Sequence, residues 1–93
     1  MSEKSIEQKL VSEVKKRGGL CWKFVSMGIV GVPDRILLFK GGVIAFAELK
    51  DKGKKPRPIQ VKRIEQLRNL GFKVYVIDNK DVIGGVLDEI QST

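Results

Sequence analysis

The sequence contains no histidine among its 93 residues, and this absence removes several classes of enzyme at once. Serine and cysteine catalytic triads, HExxH zinc hydrolases and nucleases with a histidine base or nucleophile all depend on an imidazole. The sequence also lacks a GxxxxGK[ST] phosphate-binding loop, which argues against an ordinary P-loop ATPase. Any hydrolytic chemistry in this chain must therefore use carboxylates, lysines and a metal ion.

Cysteine and long apolar runs are scarce as well. The single cysteine, Cys21, has no partner for an internal disulfide or a zinc site, which agrees with a reducing compartment. No apolar run approaches the roughly 20 residues of a membrane-spanning helix, and the charged N-terminus does not resemble a signal peptide. We expect one soluble, intracellular domain over residues 1–93, in a bacterial cytoplasm or bound to the nucleoid. A viral origin is compatible with its size.

Positive charge is concentrated in one short stretch. The net charge is +7, and residues 50–63 carry seven cations against the single acid Asp51. The cations are Lys50, Lys52, Lys54, Lys55, Arg57, Lys62 and Arg63. Such a cluster favours nucleic acid as the partner, because phosphate contacts from lysine and arginine supply most of its binding energy. A solvated loop that keeps the protein soluble is the alternative reading.

Hydrophobic periodicity and turn residues predict an α/β fold. The predicted order is α-β-β-β-α-β-α, with helices at about 3–17, 58–70 and 81–90 and strands at 20–25, 34–39, 43–50 and 72–77. The two central strands are apolar on both faces, so we expect helices on each side of a mixed sheet. Trp22, Phe24 and Tyr75 are expected in the core, because aromatic residues in predicted strands are more often buried, and a role as stacking platforms is the alternative. Gly84 and Gly85 would permit the last helix to pack closely on the sheet.

The central hairpin brings three ionisable residues together if its turn has three residues. With Lys40, Gly41 and Gly42 in the turn, Asp34 lies opposite Glu48 on one face of the sheet. Lys50 follows Glu48 by two residues and points the same way. A two-residue turn would place the carboxylates on opposite faces. The sequence thus predicts a three-residue turn that contains a glycine at positive φ.

Two carboxylates and an ammonium group at the end of an apolar sheet face are costly to desolvate unless an ion binds between them. Mg²⁺ prefers oxygen ligands and completes its octahedron with water and substrate phosphate. A lysine beside such an ion can orient a water molecule or stabilise charge on phosphorus. A simple ion pair at the edge of the sheet remains the alternative.

These residues resemble a known family. The order of Gly31-Val32-Pro33-Asp34 and Glu48-Leu49-Lys50 is similar to the signature of PD-(D/E)XK nucleases, and more closely to their VRR-NUC branch. The likeness covers nearly the whole chain. It also includes Ser5-Ile6-Glu7 in the first helix, Gln60 in the second, and residues 70–74 before the last strand. The resemblance implies a restriction-endonuclease-like core, with mixed sheet and flanking helices.

The resemblance also implies roles for individual residues. Asp34, Glu48 and the backbone carbonyl of Leu49 would hold the metal, and Lys50 would be the catalytic lysine. Glu7 would be a further acid at the metal site, and Gln60 would steady Lys50 or a phosphate. For Glu7 the alternative is a favourable charge in the first turn of a helix. For Gln60 it is simply a polar residue in a first turn.

The predicted function is a Mg²⁺-dependent DNA endonuclease, with Mn²⁺ able to substitute and with no organic cofactor. The resemblance extends to minimal Holliday-junction resolvases, which implies a homodimer that acts on branched DNA. The apolar loop at residues 27–32 would form part of the dimer contact, wedge into the junction or pack in the core. DNA phosphates would be held by Lys52, Lys54, Lys55, Arg57 and Lys62. The alternatives are a nucleic-acid-binding module without catalysis and a non-specific or RNA-directed nuclease with the same site.

Overall fold

The secondary structure follows the predicted order. The computed structural model describes residues 1–92, and Thr93, the last position of the predicted domain, lies outside the described residues. Over that range the elements are α1 Glu3–Lys16, β1 Leu20–Lys23, β2 Arg35–Phe39, β3 Val43–Leu49, α2 Pro58–Asn69, β4 Lys73–Ile77 and α3 Ile83–Gln91. A 3₁₀ turn at Lys80–Val82 leads into α3, which therefore begins two residues later than the sequence suggests.

The sheet is mixed, as predicted. Its order across the described residues is β1-β2-β3-β4, with antiparallel pairing among the first three strands and parallel pairing between β3 and β4. Parallel neighbours need a crossover connection, and α2 supplies it. Glu48 pairs with Val76 and Leu49 with Ile77, so β3 and β4 end at the same edge of the sheet.

The central hairpin has the predicted register. Phe39 pairs with Val43, and Arg35 pairs with Ala47 at the other end of the ladder. The turn contains three residues, in which Gly41 and Gly42 have φ angles of 88° and 75°. Only glycine adopts these angles without steric cost, so the turn residues set the register that aligns Asp34 with Glu48.

The two faces of the sheet are covered unequally. One face packs against α1 and α3 in the main core, which includes Leu10, Leu37 and Leu87. The other face is covered by α2, where Phe46, Ile64 and Val74 form a smaller cluster. The expectation of helices on both sides of the sheet is confirmed, but α2 does not cover the whole of the second face.

The uncovered part of that face lies on β1 and β3. Leu20 is 50% exposed, Trp22 56% and Ile44 39%. The prediction of a core position is therefore wrong for Trp22, because β1 is an edge strand and Trp22 does not belong to the cluster under α2. Phe24 is partly buried against Phe46, with ring centroids 5.5 Å apart. Tyr75 is partly buried and packs against the main core.

Helix boundaries have local causes. The Ser2 hydroxyl accepts a hydrogen bond from the Ser5 amide and caps α1, and Gly18 follows the helix at a φ of 79°. The expected close packing of α3 through Gly84 and Gly85 is wrong, since a Cβ at either position would meet nothing within 4 Å. Across residues 1–92, no helix combines the length and the apolar character needed to cross a membrane.

Candidate active site at the end of the central hairpin

Asp34 is held at the junction of three strands. It immediately precedes β2, and its Oδ2 accepts a hydrogen bond of 2.8 Å from the Leu49 amide on β3. Its carbonyl oxygen accepts another of 2.9 Å from the Phe24 amide, just beyond β1. These two bonds fix both the backbone and the carboxylate of Asp34 beside the end of β3, as the predicted register requires.

The loop before Asp34 is also constrained. Gly31 has a φ of 85° and lies against α2, so that a Cβ there would approach Ile59 to 3.0 Å. Pro33 is fully buried and fixes φ one residue before Asp34. The Gly-x-Pro-Asp segment therefore has a physical reason for its composition: glycine permits the close approach to α2, and proline stiffens the entry to β2.

Glu48 is the most unusual side chain of the site. It lies on β3 with 1% of its surface exposed, and Lys50 Nζ lies 3.1 Å from its Oε2. Among residues 1–92 no group donates a well-aligned hydrogen bond to either carboxylate oxygen of Glu48, although Lys50 and Asp34 lie close enough to affect its protonation. A buried carboxylate in this condition carries an unfavourable desolvation cost, which a bound cation would remove.

Burial raises the pKa of Glu48 to about 7 from the ordinary glutamate value of 4.5. The negative charge of Asp34 contributes to this rise in the pKa, whereas the ammonium group of Lys50 opposes it. Two carboxylates beside one lysine carry a net negative charge, which a bound proton or cation would balance.

Glu7 is placed elsewhere. Its Oε2 accepts a hydrogen bond of 3.0 Å from Arg35 Nε, and the two form a partly buried ion pair. Arg35 also donates to the Cys21 carbonyl oxygen, which anchors it beside β1. The role of Glu7 as a metal ligand remains a prediction, and it would require Glu7 to exchange its arginine partner. No periodicity in the sequence identifies Arg35 as that partner.

Glu3 is the acid of α1 whose titration responds to the site. Its pKa is raised, first by burial and then by the charge of Asp34, while Lys50 acts in the opposite direction. The Glu3 amide donates to the Asp51 carboxylate, which ties the start of α1 to the loop that follows β3. No pattern in the sequence singles out Glu3, since its bond to Asp51 joins residues 48 positions apart.

Gln60 caps the second helix. It is 7% exposed, and its Oε1 accepts a hydrogen bond of 2.8 Å from the Arg57 amide before the start of α2. This is one half of a capping box, in which a glutamine at the third helical position satisfies the backbone at the N-terminus. The structure thus gives Gln60 a structural task, and contact with Lys50 or a phosphate stays a prediction.

The basic segment forms an ordered loop on the surface. Lys52, Lys54, Lys55, Arg57 and Lys62 are all exposed. The Lys52 amide donates to the Met1 carbonyl oxygen, and the Gly53 amide donates to the carboxylate of Asp78 beyond β4. These bonds hold the backbone of residues 51–54 next to the ends of β3 and β4, at the edge of the sheet that carries the candidate site. The role of these cations in binding DNA stays a prediction.

The oxygen donors available to a metal are few. Among the described residues, no group of three or more His, Cys, Asp or Glu side chains is arranged to hold a metal ion. Asp34 and Glu48 supply two carboxylates, and the Leu49 carbonyl lies between Glu48 and Lys50 in the chain. This set suits an ion that retains several water or substrate ligands.

Comparisons with known proteins agree with this geometry. No family model matches the chain. A protein of Acyrthosiphon pisum secondary endosymbiont phage 1, named "Putative nuclease p44", is 49% identical over 80 residues, which cover 86% of each protein. A solved structure titled "VRR_NUC domain" matches with a TM-score of 0.87 and 27% identity, over 95% of this chain and 97% of that one. The chain belongs to the VRR-NUC family of nucleases.

Proposed function

We propose that this nuclease is a Mg²⁺- or Mn²⁺-dependent endonuclease of the PD-(D/E)XK type that hydrolyses phosphodiester bonds in DNA. The observation that carries the proposal is the Glu48 carboxylate, which is buried beside Asp34 and Lys50 with neither oxygen hydrogen-bonded by residues 1–92. A carboxylate with this environment fits a site built for a cation better than it fits a structural ion pair.

Asp34, Glu48 and the Leu49 carbonyl oxygen would hold the cation. Oxygen donors suit Mg²⁺ and Mn²⁺, and a set this small leaves coordination positions for water and for a phosphate of the substrate. When bound, the cation would polarise a phosphoryl oxygen and lower the pKa of a water ligand. The raised pKa of Glu48 means that this carboxyl group must lose its proton before it can serve as a ligand.

Lys50 has a different task. Its ammonium group lies 3.1 Å from Glu48 and is largely shielded from solvent, with 16% of the side chain exposed. A positive charge in such a position stabilises the negative charge that develops on phosphate oxygens and can orient the attacking water. Its contact with Glu48 keeps the side chain at the site before a substrate arrives.

A cleavage assay tests this proposal. End-labelled four-way junction, flap, linear duplex and single strand would be incubated with Mg²⁺, with Mn²⁺ and with chelator. The native protein should cut DNA only when a metal is present, and Lys50→Ala and Glu48→Gln should reduce cleavage by at least about 100-fold, as loss of a catalytic group does. Glu65→Gln, an exposed change on α2, is the control and should cut normally.

The outcomes separate the rival activities. Cleavage that persists in chelator, or equal activity in Lys50→Ala and the native protein, would contradict the assigned mechanism. DNA binding without cleavage of any substrate under any metal would indicate a binding module. Preferential cleavage of an RNA strand with the same metal requirement would change the assigned substrate from DNA to RNA. The assignment of the site residues would remain.

We further propose that the protein acts as a homodimer on branched DNA such as a Holliday junction, with the two active sites at a fixed spacing. The support is an apolar surface on the loop between β1 and β2, where Met27 is 96% exposed, Val30 68% and Ile29 48%. Exposed apolar residues grouped in this way are typical of interfaces. We expect paired symmetric cuts in the junction.

Charge substitutions in the loop test the dimer. Ile29→Asp combined with Val30→Asp should convert a dimer into a monomer in light scattering, because a charge cannot be buried in an apolar contact without a partner. Both side chains are substantially exposed, so the monomer should keep its fold by circular dichroism. A well-folded variant that remains dimeric would exclude this loop as the interface.

A further inference from the structure

A groove between α1 and the first two strands lies outside the site described above. It has a volume of about 530 Å³ and opens to solvent. Its polar lining comes mainly from Lys4, Gln8, Ser12 and Lys15 on α1, together with Lys23 on β1 and Arg35 on β2. We call it the α1 groove. It faces the side of the sheet that carries the main core, and the basic loop at residues 51–57 does not line it.

The charge of the α1 groove is predominantly positive. Glu7 is the one acid in its lining, and Arg35 already pairs with it. Lys4, Lys15 and Lys23 are exposed and form no ion pair with any acid of residues 1–92. Three uncompensated ammonium groups around one concave surface repel each other unless an anion lies between them.

The spacing of the groove residues fits an extended polyanion. Lys4, Gln8, Ser12 and Lys15 recur at four-, four- and three-residue intervals, so they form a single stripe of hydrogen-bond donors along α1. At about 1.5 Å per residue, the stripe from Lys4 to Lys15 is about 16 Å long. This equals the axial rise of about five phosphates in one strand of a duplex, at about 3.4 Å each.

The α1 groove and the active site lie at the same edge of the sheet, where β2 begins. Arg35 directly follows Asp34 in the chain, and Lys4 directly follows Glu3, whose pKa responds to Asp34 and Lys50. Beyond the start of α1 lies the loop at residues 51–57, which is bound to it by the Lys52–Met1 and Glu3–Asp51 hydrogen bonds. The start of α1 therefore joins two basic surfaces, the α1 groove and this loop, at the edge of the sheet where the paired carboxylates lie.

We propose that the α1 groove binds the sugar-phosphate backbone of DNA on one side of the cut, while the loop at residues 51–57 binds it on the other side. The inference rests on the proposed nuclease function and extends it, because it assigns Lys4, Lys15 and Lys23 to substrate binding. Lysine, glutamine and serine side chains along the groove contact phosphates without reading bases, which suits a nuclease that recognises shape.

Salt dependence of binding tests the groove directly. Binding of a fluorescent four-way junction would be measured in chelator, so that the DNA stays intact, at several salt concentrations. Each lost phosphate contact reduces the slope of log K against log salt by about 0.9. For the Lys15→Ala/Lys23→Ala double variant, the magnitude of this slope should therefore be smaller by nearly two than for the native protein. Lys40→Ala, on the hairpin turn at the opposite end of β2 from Asp34, is the matched control and should lose nothing.

DNA substrates with a single uncharged linkage then show on which side of the cut each basic surface contacts the backbone. Methylphosphonate linkages placed one at a time on each side of the cut remove one charge each from the substrate. The groove double variant should be insensitive to neutral linkages on one side only, and Lys54→Ala/Lys55→Ala should be insensitive on the other. Loss of sensitivity to the same linkages in both variants would contradict the two-sided arrangement.

The two proposals fail separately. An unchanged salt slope in the groove variant, in a protein that cuts DNA normally, would refute the groove and leave the nuclease in place. A protein that binds the junction with the predicted slopes, yet cuts no substrate under any metal, would refute the proposed activity and still support the groove.

Discussion

The Glu48→Gln variant should be more stable than the native protein at neutral and alkaline pH when no metal is present. Burial raises the pKa of Glu48 to about 7 in the folded chain, whereas the unfolded chain titrates near the ordinary value of 4.5. Between these values the folded state binds the proton more tightly than the unfolded state does. The free energy of unfolding must therefore fall as the pH rises through this window.

The size of the effect follows from the shift. Each unit of difference between the folded and unfolded pKa corresponds to about 1.4 kcal/mol, so the rise from 4.5 to about 7 costs the native state about 3 kcal/mol at pH 8. This destabilisation of the native state by Glu48 is nearly absent at pH 4.5, and it levels off above pH 7. Glutamine at position 48 does not titrate and should show none of this dependence.

Urea denaturation in chelator at pH 5, 6, 7 and 8 measures the difference. The free energy of unfolding of Glu48→Gln minus that of the native protein should grow by about 2 to 3 kcal/mol from pH 5 to pH 8, because a small part of the penalty is already present at pH 5. A constant cost of burying the amide cancels in this comparison, because it does not vary with pH. Glu65→Gln on the exposed face of α2 should differ from the native protein by the same amount at every pH.

Parallel pH profiles for Glu48→Gln and the native protein would refute the reasoning, because they would mean that Glu48 titrates normally in the fold. Addition of Mg²⁺ at pH 8 provides a second comparison. A ligand that binds only the native state stabilises it by about 2.7 kcal/mol at a concentration of 100 times its dissociation constant. The native protein should gain this stability, and Glu48→Gln should gain much less.

Three further substitutions test the fold around the site. Gly85→Ala should raise the free energy of unfolding by about 0.5 to 1 kcal/mol in urea, since it lies inside α3 and its Cβ would meet nothing; no gain would contradict the helical assignment. Gly31→Ala should lower it by at least about 1 kcal/mol, because of the positive φ and the contact with Ile59, and an unchanged melting temperature would argue against that loop conformation. Gln60→Ala should cost about 1 kcal/mol through loss of the cap on the Arg57 amide, whereas Gln60→Glu keeps the acceptor; a loss of cleavage in both variants at full stability would assign Gln60 to the chemistry instead.

Much of the site could be derived from local sequence. The three-residue turn with two adjacent glycines fixes the register of the hairpin, and alternation along two strands then puts Asp34, Glu48 and Lys50 at one end of one face. The order of helices and strands is equally local, because caps, glycines and apolar spacing mark each boundary. The likeness to the family rests on these same residues.

Other features depend on contacts between distant parts of the chain. Sequence spacing suggests that Glu7 borders the core, but it does not show that Arg35 lies 3.0 Å away as an ion-pair partner. It places Gln60 in a first turn, but whether that amide caps the helix or reaches the site depends on the path of the preceding loop. Sequence spacing also does not show that the Glu3 amide donates to Asp51, which lies 48 residues away in the chain.

The sequence by itself determined the hairpin register, the mixed α/β fold and the shared face of the carboxylates, since each follows from steric preferences and side-chain alternation within a short segment. Tertiary structure alone decided which side chains are buried and which charges find partners. Trp22 is 56% exposed on the edge strand β1, and the Glu48 carboxylate is buried on β3 without a well-aligned hydrogen bond from residues 1–92. Burial and pairing depend on how separate elements pack, and no local pattern records that arrangement.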